Sequence, residues 1–401
     1  MKVLMVNKFL FPNGGSETYI FDIGKELIKM GYEVQYFGME DKNRIVGNHA
    51  ESYTSPMDFH TGGVQKLLYP FKIIYSVEAR KKIKKVLDDF KPQVVHLNNI
   101  NFQLTPSIIY EVRKWEKKNK VKVKIIYTAH DFQWVCPNHM LMIPSTKDLC
   151  FQCKDGNYGQ CAKNKCIHNS SVKSILGSVE AYLYKILKTY EKVDTIICPS
   201  KFMENMLSTN PDIKDKLITM HNYCTVNSEE IKEKKDYVLY FGRYSEEKGM
   251  DVLLKACEKL PEVSFVFAGD GPLREQVEKL SNVENKGFLN GDELRNVIAQ
   301  ARFAVVPSVW YENCPFTVIE AQKLGTPVIA SDLGGIPELI DAGKTGELFE
   351  VSNTDQLTVK ILKLWKDKEK CRVYNKNCLE KHFDSLEDYC KNLVTIYLDE
   401  L

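Results

Sequence analysis

Charged side chains and glycines occur together in short segments that follow apolar runs in the C-terminal half of the chain. The first segment carries Arg243 and Lys248, with Gly242 and Gly249 beside them. Glycines let a backbone approach a ligand closely, and two cations on one loop can clamp a diphosphate. The alternative is a pair of solvated surface cations, which this spacing alone does not exclude.

A pair of glutamates marks the second segment, Trp310–Ala321. Glu312 is predicted to lie in a loop, and Pro315 lies near the first helical position, where its missing N–H costs little. Glu320 then lies one to two turns into the helix. A helix N-terminus attracts anions, and a carboxylate in its first turns can accept hydrogen bonds from vicinal hydroxyls. A Glu-x7-Glu pair alone is common and therefore weak evidence.

Two further segments are rich in glycine. Ser331–Glu338 contains Gly334 and Gly335 between an apolar run and a helical pattern, and Ala268–Pro272 contains a Gly-Asp-Gly-Pro turn. Both are predicted to be tight turns that need glycine torsion angles. The Gly-Asp-Gly-Pro turn is interpreted as structural.

The elements that must position these segments alternate between short apolar strands and amphipathic helices. Strands are predicted at 3–6, 33–37, 94–97, 124–128, 195–198, 217–220, 237–241, 264–268, 303–307, 327–330 and 346–349. Helices are predicted at 16–30, 201–207, 249–259, 272–280, 292–300, 316–324 and 336–340, with Ser16 capping the first and Gly31 ending it. This alternation indicates an α/β protein with parallel sheets and helices on both faces, which binds ligands at the carboxyl ends of its strands.

The charged stretch Ser228–Asp236 interrupts the alternation and divides the chain into two doubly wound domains. The predicted first domain is 1–227, with a cysteine-rich insertion at 136–171. The second is 228–379. Residues 380–401 are predicted to form a helix that returns to the first domain.

The motif order G-R-x4-K-G, G-D-G-P, E-x7-E-A and G-G-I-P-E resembles the second domain of retaining glycosyltransferases of the GT-B fold, family 4, also called group 1. The resemblance is dense over 236–350 and extends to the whole chain in its two-domain plan. It implies two Rossmann-like domains facing each other across a cleft. It also implies sugar transfer from a nucleotide-diphosphate sugar with retention of configuration and no cofactor or divalent ion required for catalysis.

The resemblance assigns roles to residues. Arg243 and Lys248 would neutralise the diphosphate, Glu320 would hold the ribose hydroxyls, and Glu312 would face the donor sugar. The full donor-binding set implied is Gly14, Gly15, Arg243, Lys248, Glu312, Asn313, Cys314, Phe316, Thr317 and Glu320. The chain departs from many relatives at Asn313-Cys314-Pro315, which bears on the choice of sugar.

In the first domain, Gly14 and Gly15 follow the first strand, and His130 ends another. A glycine pair without G-x-G-x-x-G is weak evidence of a phosphate site, and a lone histidine is usually structural. The resemblance implies that the glycines approach the donor phosphates and that His130 lies near the transferred sugar. The candidate catalytic residues are thus Glu312, His130, Arg243 and Lys248.

Bulk composition narrows the class of protein. The 401 residues include 55 basic and 53 acidic side chains, for a net charge of +2, so nucleic-acid binding through overall charge is not expected. The start reads as a strand rather than a secretory signal, and no apolar run is long enough to span a membrane. The sequence therefore predicts a cytoplasmic protein that could rest on the inner face of the cell membrane.

Twelve cysteines are present, and five of them fall within residues 136–166. Without an export signal, reduced thiols or a metal are preferred over disulfides. Cys-x2-Cys spacing predicts a structural zinc ion, with Cys136, Cys150, Cys153 and Cys166 as ligands. Cys161 is an alternative ligand, and five free thiols are the competing interpretation.

Two stretches, Val64–Val86 and Val172–Tyr190, mix aromatic, apolar and basic residues, which is typical either of membrane-surface helices or of helices packed on a core. The resemblance implies a UDP- or GDP-linked donor and a saccharide or lipid-linked acceptor, in the synthesis of surface polysaccharides such as capsule or lipopolysaccharide. Rival functions are sugar-nucleotide epimerisation, phosphorolysis and a non-catalytic zinc-stabilised partner subunit.

Overall fold

The computed structural model describes residues 1–56, 73–226 and 233–399, which divide into two compact units. The first unit comprises Met1–Met220 and Leu386–Leu401, and the second comprises His221–Ser385. The predicted boundary between 227 and 228 falls outside the described residues. Part of the predicted amphipathic stretch Val64–Val86 also falls outside the described residues.

The first unit alternates strands and helices up to residue 219. Its elements are β1 (Lys2–Val6), α1 (Gly15–Lys29), β2 (Glu33–Phe37), α2 (Val77–Phe90), β3 (Val94–Leu97), α3 (Ser107–Asn119), β4 (Lys124–Thr128), β5 (Met142–Ile143), β6 (Asp148–Leu149), α4 (Gly159–Lys163), α5 (Ser171–Ile186), β7 (Thr195–Cys198), α6 (Lys201–Leu207) and β8 (Leu217–Thr219). Six of these strands form a parallel sheet in the order β2-β1-β3-β4-β7-β8. Residues from β4 to β7 contain the cysteine-rich insertion, with the small hairpin β5–β6 and helices α4 and α5.

The second unit repeats the plan. Its elements are β9 (Val238–Phe241), α7 (Met250–Glu258), β10 (Phe265–Ala268), α8 (Arg274–Val277), β11 (Val283–Asn285), α9 (Gly291–Gln300), β12 (Phe303–Val306), α10 (Phe316–Lys323), β13 (Val328–Ser331), α11 (Ile336–Leu339), β14 (Gly346–Phe349), α12 (Thr354–Lys366) and α13 (Lys368–Glu380). The strands form a parallel sheet in the order β11-β10-β9-β12-β13-β14. Helix α14 (Leu386–Leu398) follows and belongs to the first unit.

Alternate side chains of β9 show why its sequence is continuously apolar. Val238 and Tyr240 pack into one buried cluster, whereas Leu239 and Phe241 pack into a second cluster on the opposite face. A parallel strand covered by helices on both faces needs apolar residues at every position. The prediction of parallel sheets with helices on both faces is therefore confirmed.

Local details differ from the sequence-based expectation. Gly14, not Ser16, is the N-cap of α1, and no side-chain hydrogen bond caps the helix. Ser16 instead hydrogen bonds Glu17 and Asn99. Strand β11 was not predicted, because Val283-Glu284-Asn285 is short and only partly buried. The helix expected at 272–280 is reduced to α8.

Helix α14 is anchored to the first unit by hydrogen bonds as well as by packing against α1. The hydroxyl groups of Tyr389 and Tyr19 lie 2.9 Å apart, and that of Tyr397 lies 2.6 Å from Nδ1 of His96. Lys124 Nζ donates to the Asp399 carbonyl at 2.7 Å. The last described residues therefore complete the polar interior of the first unit.

Candidate functional site

Lys248 is positioned by the loop that follows β9. A short 3-10 turn, Glu246–Lys248, leads into Gly249, which has φ +74° and begins α7. A Cβ atom at Gly249 would lie 1.8 Å from the carbonyl oxygen of Pro307, so only glycine allows the loop to pack against the end of β12. This packing brings the loop after β9 to the loop that carries Glu312.

Lys248 and Glu312 form an ion pair. Lys248 Nζ lies 2.6 Å from Glu312 Oε1, and the same oxygen accepts hydrogen bonds from Ser308 Oγ at 2.9 Å and Trp310 Nε1 at 3.0 Å. The Lys248 ammonium also lies 5.4 Å from the centre of the Trp310 ring. The sequence therefore places a lysine and a glutamate 64 residues apart in direct contact.

The electrostatics of Glu312 combine two opposed effects. Burial alone would raise its pKa. The charge of Lys248, with hydrogen bonds from Lys248, Trp310 and Ser308, outweighs burial and lowers the pKa below the usual glutamate range. Glu312 is therefore a carboxylate at neutral pH, and its charge is held in place by three donors.

Arg243 lies in the same loop but has a different environment. Its backbone carbonyl accepts a hydrogen bond from the Tyr240 hydroxyl at 2.7 Å, and its side chain is exposed. Within residues 1–56, 73–226 and 233–399, its guanidinium forms no ion pair or side-chain hydrogen bond. A planar cation with five donors is thus displayed beside Lys248 on the same loop.

The Gly-Asp-Gly-Pro turn supports the Arg243 loop from behind. The backbone N–H of Tyr244 donates to the Asp270 carbonyl at 2.8 Å. A Cβ atom at Gly269 would lie 1.9 Å from the Gly242 carbonyl oxygen. The turn therefore needs glycine for close packing, in line with its interpretation as structural.

The Gly334-Gly335 segment contacts the backbone of Glu312. The N–H of Gly335 donates to the Glu312 carbonyl at 2.7 Å. Gly334 has φ +63°, and a Cβ atom there would lie 2.5 Å from the same carbonyl oxygen. Three of the motifs found in the sequence are thus joined by direct contacts: the loop after β9, the Glu312 loop and this glycine turn.

Helix α10 begins next to Glu312. Its N-cap, Pro315, makes no side-chain hydrogen bond, and within the described residues no side chain caps the N–H groups of Phe316 and Thr317. Glu320 and Asn313 are half-buried. The groups of this segment on which the donor-binding prediction relies are therefore the N–H groups at the start of α10 and the carboxylate of Glu320.

Cys314 and Phe316 point their side chains into the unit. The Cys314 thiol accepts the Asn222 backbone N–H at 3.2 Å, and burial raises its pKa to about 12. The Phe316 ring contacts Tyr223 at a centroid distance of 5.5 Å. At these two positions the backbone, rather than the side chain, is the group that can meet a ligand.

His130 follows β4 in the first unit. Its Nε2 lies 2.9 Å from Asn98 Oδ1, and its ring packs edge-on to Tyr19 at 5.2 Å. The Asn98 Nδ2 donates to two backbone carbonyls, so Oδ1 faces the imidazole and Nε2 carries the proton. Burial lowers the pKa of His130 to about 4, partly offset by Asp131. The imidazole is therefore neutral at pH 7.

A buried hydrogen-bond network beneath His130 was not predicted from the sequence. His96 Nε2 lies 2.7 Å from Thr128 Oγ1 and its Nδ1 lies 2.6 Å from the Tyr397 hydroxyl. Burial lowers the pKa of His96 to about 3. The one sequence signal was a histidine inside the otherwise apolar strand β3.

A second polar cluster lies beyond the ends of β1, β3 and β4. Asp131 Oδ2 lies 3.3 Å from His139 Nδ1 and accepts from Asn101 Nδ2 at 3.1 Å, and Lys8 Nζ donates to Asn101 Oδ1 at 3.0 Å. Burial lowers the pKa of Lys8, an effect that Asp131 and Glu17 oppose. His139, which neighbours the cysteines in sequence, is therefore engaged by Asp131.

Gly14 and Gly15 lie at the start of α1 with open space around them. A Cβ atom at Gly15 would meet no atom within 4 Å, and one at Gly14 would approach only Glu17 Oε2, at 3.5 Å. Gly14 is extended, with φ −174°. Packing against the described residues therefore does not require glycine at either position.

The five clustered cysteines come together in the insertion. Cys153, Cys161 and Cys166 pack with Tyr158 in a small buried core, Cys136 is buried and Cys150 is half-buried. All five are free thiols. In the part of the chain that the structure describes, no group of three or more His, Cys, Asp or Glu side chains is arranged to hold a metal ion. The predicted ligands are thus neighbours without metal-ligand geometry.

The described residues contain no helix that is both long enough and apolar enough to cross a membrane.

Solved structures with a similar fold cover the whole chain. Sucrose-phosphate synthase from Thermosynechococcus elongatus has a TM-score of 0.69 at 16% identity and covers 99% of this chain and 98% of its own. HepE from Anabaena, solved in complex with UDP, has a TM-score of 0.68 at 16% identity over 100% of both chains. Together with the two parallel sheets, these similarities confirm the predicted GT-B fold.

Most of the similarities in sequence cover only part of each chain. An uncharacterised glycosyltransferase of Methanocaldococcus jannaschii is 31% identical over 55% of this chain and 66% of its own length. Sulfoquinovosyl transferase of Arabidopsis thaliana is 36% identical over 37% of this chain and only 30% of its own. An uncharacterised 42.6 kDa protein from the cps region of Klebsiella pneumoniae is 25% identical over 84% of this chain and 87% of its own.

Two family models match consecutive parts of the sequence. The model of glycosyltransferase family 4 matches residues 13–223, which is more than half of the chain, and that of glycosyl transferases group 1 matches residues 225–381. The second match contains the ion pair of Lys248 and Glu312, and the first contains Gly14, Gly15 and His130. The chain therefore belongs to the family 4, group 1 glycosyltransferases.

Proposed function

We propose that this protein transfers a sugar, with retention of configuration, from a UDP- or GDP-linked donor to a saccharide or lipid-linked saccharide. The observation that carries the proposal is the arrangement of Arg243, Lys248 and Glu312. Two cations lie on one loop at the end of β9, and the carboxylate that holds one of them lies in the loop after β12.

Sugar transfer breaks the bond between the anomeric carbon and the diphosphate, the acceptor hydroxyl oxygen forms the new bond to that carbon, and the hydroxyl proton passes to the departing diphosphate. Negative charge therefore grows on the diphosphate while positive charge grows on the sugar ring. Arg243 and Lys248 would stabilise the diphosphate charge, with the exposed guanidinium suited to bidentate contact with phosphate oxygens. Glu312 keeps the Lys248 ammonium oriented before the donor arrives.

The carboxylates and the start of α10 would hold the remainder of the donor. Glu312 would accept hydrogen bonds from sugar hydroxyls, assisted by backbone N–H groups of Phe316 and Thr317. Glu320 would accept hydrogen bonds from the ribose hydroxyls. A helix start without a side-chain cap supports this assignment, because its N–H groups favour polar or anionic ligands.

The first unit would contribute neutral groups. His130 is neutral and donates through Nε2 to Asn98, which suits a positioning role near the transferred sugar. Gly14 and Gly15 carry no side chain although the chain leaves room for one, which supports an approach by phosphate or acceptor. These are positioning roles, and proton transfer by a neutral imidazole with pKa about 4 is not proposed.

We assign the reaction to the synthesis of cell-surface polysaccharides. Support comes from the relative in the Klebsiella pneumoniae cps region, which matches most of both chains. A hexosyltransferase activity is the expected subclass. Sugar-nucleotide epimerisation or phosphorolysis would use the same donor site but leave no glycoside on an acceptor.

The test is donor binding and transfer by the purified full chain. Binding of UDP- and GDP-sugars is measured by calorimetry, and products from a labelled donor are analysed for linkage and anomeric configuration. Lys248→Ala and Glu312→Gln are each expected to reduce turnover by about 10²-fold or more, because each removes a group that stabilises charge in the transition state.

Lys259→Ala is the matched control, because Lys259 pairs with Asp355 at an exposed position away from the loops described. It should retain normal turnover. Near-normal turnover in Lys248→Ala or Glu312→Gln would refute the assigned site. Donor binding without transfer to any acceptor would favour an epimerase, and no nucleotide-sugar binding at all would favour a non-catalytic partner subunit.

A structural zinc ion in the insertion is a separate proposal. Its support is the grouping of Cys136, Cys150, Cys153 and Cys166, with Cys161 as alternative, in a segment with a small apolar core. Binding would require their side chains to rotate toward a common centre. Elemental analysis of purified protein should give about one zinc per chain. Protein that carries no zinc and unfolds unchanged in the presence of chelator would leave the free thiols as packing residues.

A further inference from the structure

Helix α5 presents its apolar side chains to solvent. Val172, Ile175, Val179, Tyr182 and Ile186 follow one another at intervals of three and four residues, which places them on one face of the helix. All five are exposed, from 37% at Tyr182 to 76% at Ile186. Leu176 and Leu183 on the same face are half-buried. We call this face the α5 apolar stripe.

The opposite face of α5 packs against the protein, and apart from the buried Tyr184 its buried residues are small or polar. Ser174 Oγ accepts the Ile167 N–H at 2.9 Å, and Ser178 Oγ donates to the Tyr158 carbonyl at 2.8 Å. At Gly177 a Cβ atom would lie 2.4 Å from Ile167 Cδ1. The cysteine-rich insertion thus holds the helix by its serines and glycine.

This orientation is the reverse of that of an ordinary surface helix, which buries its apolar stripe and exposes its polar face. An isolated exposed leucine or valine needs no explanation, but a contiguous apolar face indicates a binding surface. The neighbouring insertion specifies this orientation through close contacts, so the exposure of the stripe is built into the fold of the unit.

The charge around the stripe indicates the partner. Residues 156–190 contain Lys163, Lys165, Lys173, Lys185 and Lys188 but only one acidic residue, Glu180. Glu180 is buried, and burial raises its pKa to about 8, so it adds little negative charge at neutral pH. Lys188 pairs with Glu191, just outside this range. Lys185 is half-buried over the Tyr158 ring, and the other four lysines are exposed. An apolar stripe in a segment with these exposed lysines is complementary to a surface that is apolar and anionic.

We propose that the α5 apolar stripe inserts into the interface of an anionic lipid bilayer, with the lysines contacting lipid phosphates. The helix has 16 residues and spans about 24 Å, shorter than the roughly 30 Å hydrocarbon core, so it would lie in the plane of the interface. A second copy of the chain is disfavoured as occupant, because pairing the stripes would bring lysines of the same sign together.

Membrane contact is inferred from α5 and does not depend on the proposed function. Only the link between this contact and a lipid-linked acceptor rests on the proposed function. Contact through α5 would hold the first unit at the membrane surface where such an acceptor resides. The insertion between β4 and β7 would then serve to mount a membrane-facing helix. This gives the cysteine-rich segment a function that the donor site does not require.

The experiment is co-sedimentation of the full chain with vesicles. Binding is expected to vesicles of phosphatidylcholine mixed with phosphatidylglycerol, to be much weaker with phosphatidylcholine alone, and to fall with added salt. The triple variant Ile175→Gln/Val179→Gln/Ile186→Gln should bind at least about tenfold more weakly, because three side chains lose their apolar transfer into the interface. Lys173→Gln should weaken binding about fivefold.

Val359→Gln/Val373→Gln is the matched control, because these valines are also exposed, on α12 and α13 of the second unit. It should bind vesicles as the unaltered chain does. The single variant Ile186→Gln, at the most exposed position, covers the case in which the triple variant does not fold. Calorimetric donor binding, measured in the same variants, reports on the proposed enzymatic function separately.

Three outcomes would overturn the proposal. The first is no binding of the unaltered chain to anionic vesicles. The second is equal binding by the triple variant and the valine control. The third is a self-association of the chain that the triple variant abolishes, which would assign the stripe to a second copy.

Discussion

The two units place polar groups at the carboxyl ends of parallel strands in opposite ways. In the second unit the groups are charged, with Lys248 paired to Glu312 and Arg243 exposed beside them. In the first unit His130 and His96 are neutral; Nε2 of His130 contacts Asn98 Oδ1, and both ring nitrogens of His96 contact hydroxyl groups. The same type of sheet thus supports an ion pair at the predicted site of one unit and neutral histidines at that of the other, where the charges of Lys8 and Asp131 lie in a separate cluster.

The way in which each set of groups is held in place explains part of this difference. The charges of the second unit lie on loops whose backbone is fixed by glycine contacts, as at Gly249 and Gly334, so they can be held close together. The groups of the first unit are held by side-chain hydrogen bonds that reach as far as α14. A charged loop suits a ligand whose charge changes during reaction, and a neutral network suits the positioning of hydroxyl groups.

Removal of one charge should have the largest effect on stability. Lys248→Met is expected to destabilise the second unit by about 2 kcal/mol at pH 7, because it leaves the mostly buried Glu312 carboxylate without its cation. The loss should shrink near pH 4, where Glu312 in the variant can take up a proton. Denaturant unfolding at both pH values measures this.

Lys259→Met is the control for that measurement. Its partner Asp355 is 84% exposed, so the expected loss is within about 0.5 kcal/mol. Adding Glu312→Gln to Lys248→Met should restore part of the stability. An equal loss of stability in the two lysine variants would show that the mostly buried ion pair of Lys248 stabilises the unit no more than the exposed pair of Lys259.

A comparison of glycines should give the next largest effect. Gly334→Ala is expected to cost about 2 kcal/mol, because the backbone is left-handed there and the added carbon would clash with the Glu312 carbonyl. Gly15→Ala should change stability by less than about 0.5 kcal/mol, since the space is open. Thermal unfolding of both variants checks the prediction.

The affinity for the donor provides a second test of the difference between Gly15 and Gly334. If Gly15 is glycine because a ligand approaches it, Gly15→Ala should weaken binding of the nucleotide sugar or acceptor while the unfolding midpoint is unchanged. Unaltered kinetics in a stable Gly15→Ala protein would remove Gly15 from the predicted site. A stable Gly334→Ala protein would contradict the packing described at Glu312.

The fold was largely predictable because buried parallel strands have a distinctive sequence. Strand β9, and β1 after Lys2, are continuously apolar, and helical patterns separate such strands, which predicts alternating layers. Strand β11 and the hairpin β5–β6 were missed, because strands of two or three residues at an edge carry almost no pattern. The helix cap at Ser16 was wrong, because Asn99, from a distant loop, engages its hydroxyl.

The loop positions of the charged residues were predictable from the sequence, whereas the buried hydrogen-bond network of the first unit was not. Arg243, Lys248 and Glu312 lie in local motifs, so their loop positions follow from adjacent residues. The contact of His96 with Tyr397 joins residues 301 apart and leaves no local signal. The sequence indicated a helix with mixed apolar and basic residues over Val172–Tyr190 but not which of its faces is exposed, which depends on the contacts of Ser174 and Ser178 with the insertion.

The network of the first unit should respond to single hydroxyl deletions by smaller amounts. Tyr397→Phe is expected to cost about 1 kcal/mol, because it removes the partner of the buried His96 Nδ1. Tyr32→Phe is the control, since its hydroxyl makes no hydrogen bond within the described residues and its side chain is half-exposed. Denaturant unfolding that shows the same change in both variants would argue against a role for α14 in the network.

The pH dependence of stability reports whether His130 is neutral in the folded chain. Its pKa of about 4 in the folded chain lies below the roughly 6.5 of an unfolded histidine. As the pH falls below about 6.5, the unfolded chain therefore binds a proton that the folded chain does not, and the free energy of unfolding decreases toward pH 4. His130→Gln should make this decrease shallower, whereas His382→Gln, at an exposed site, should not.

The neutral state of His130 has a direct consequence for activity. Because the imidazole is already unprotonated at pH 6, kcat/KM should show no step due to His130 between pH 6 and 8. The Glu312 pKa lies below the glutamate range, so its contribution to stability is present above about pH 4.3 and is lost only as the pH falls further. A step near pH 6.5 that disappears in His130→Gln would show that the first unit also uses a charge, and the contrast between the two units would then fail.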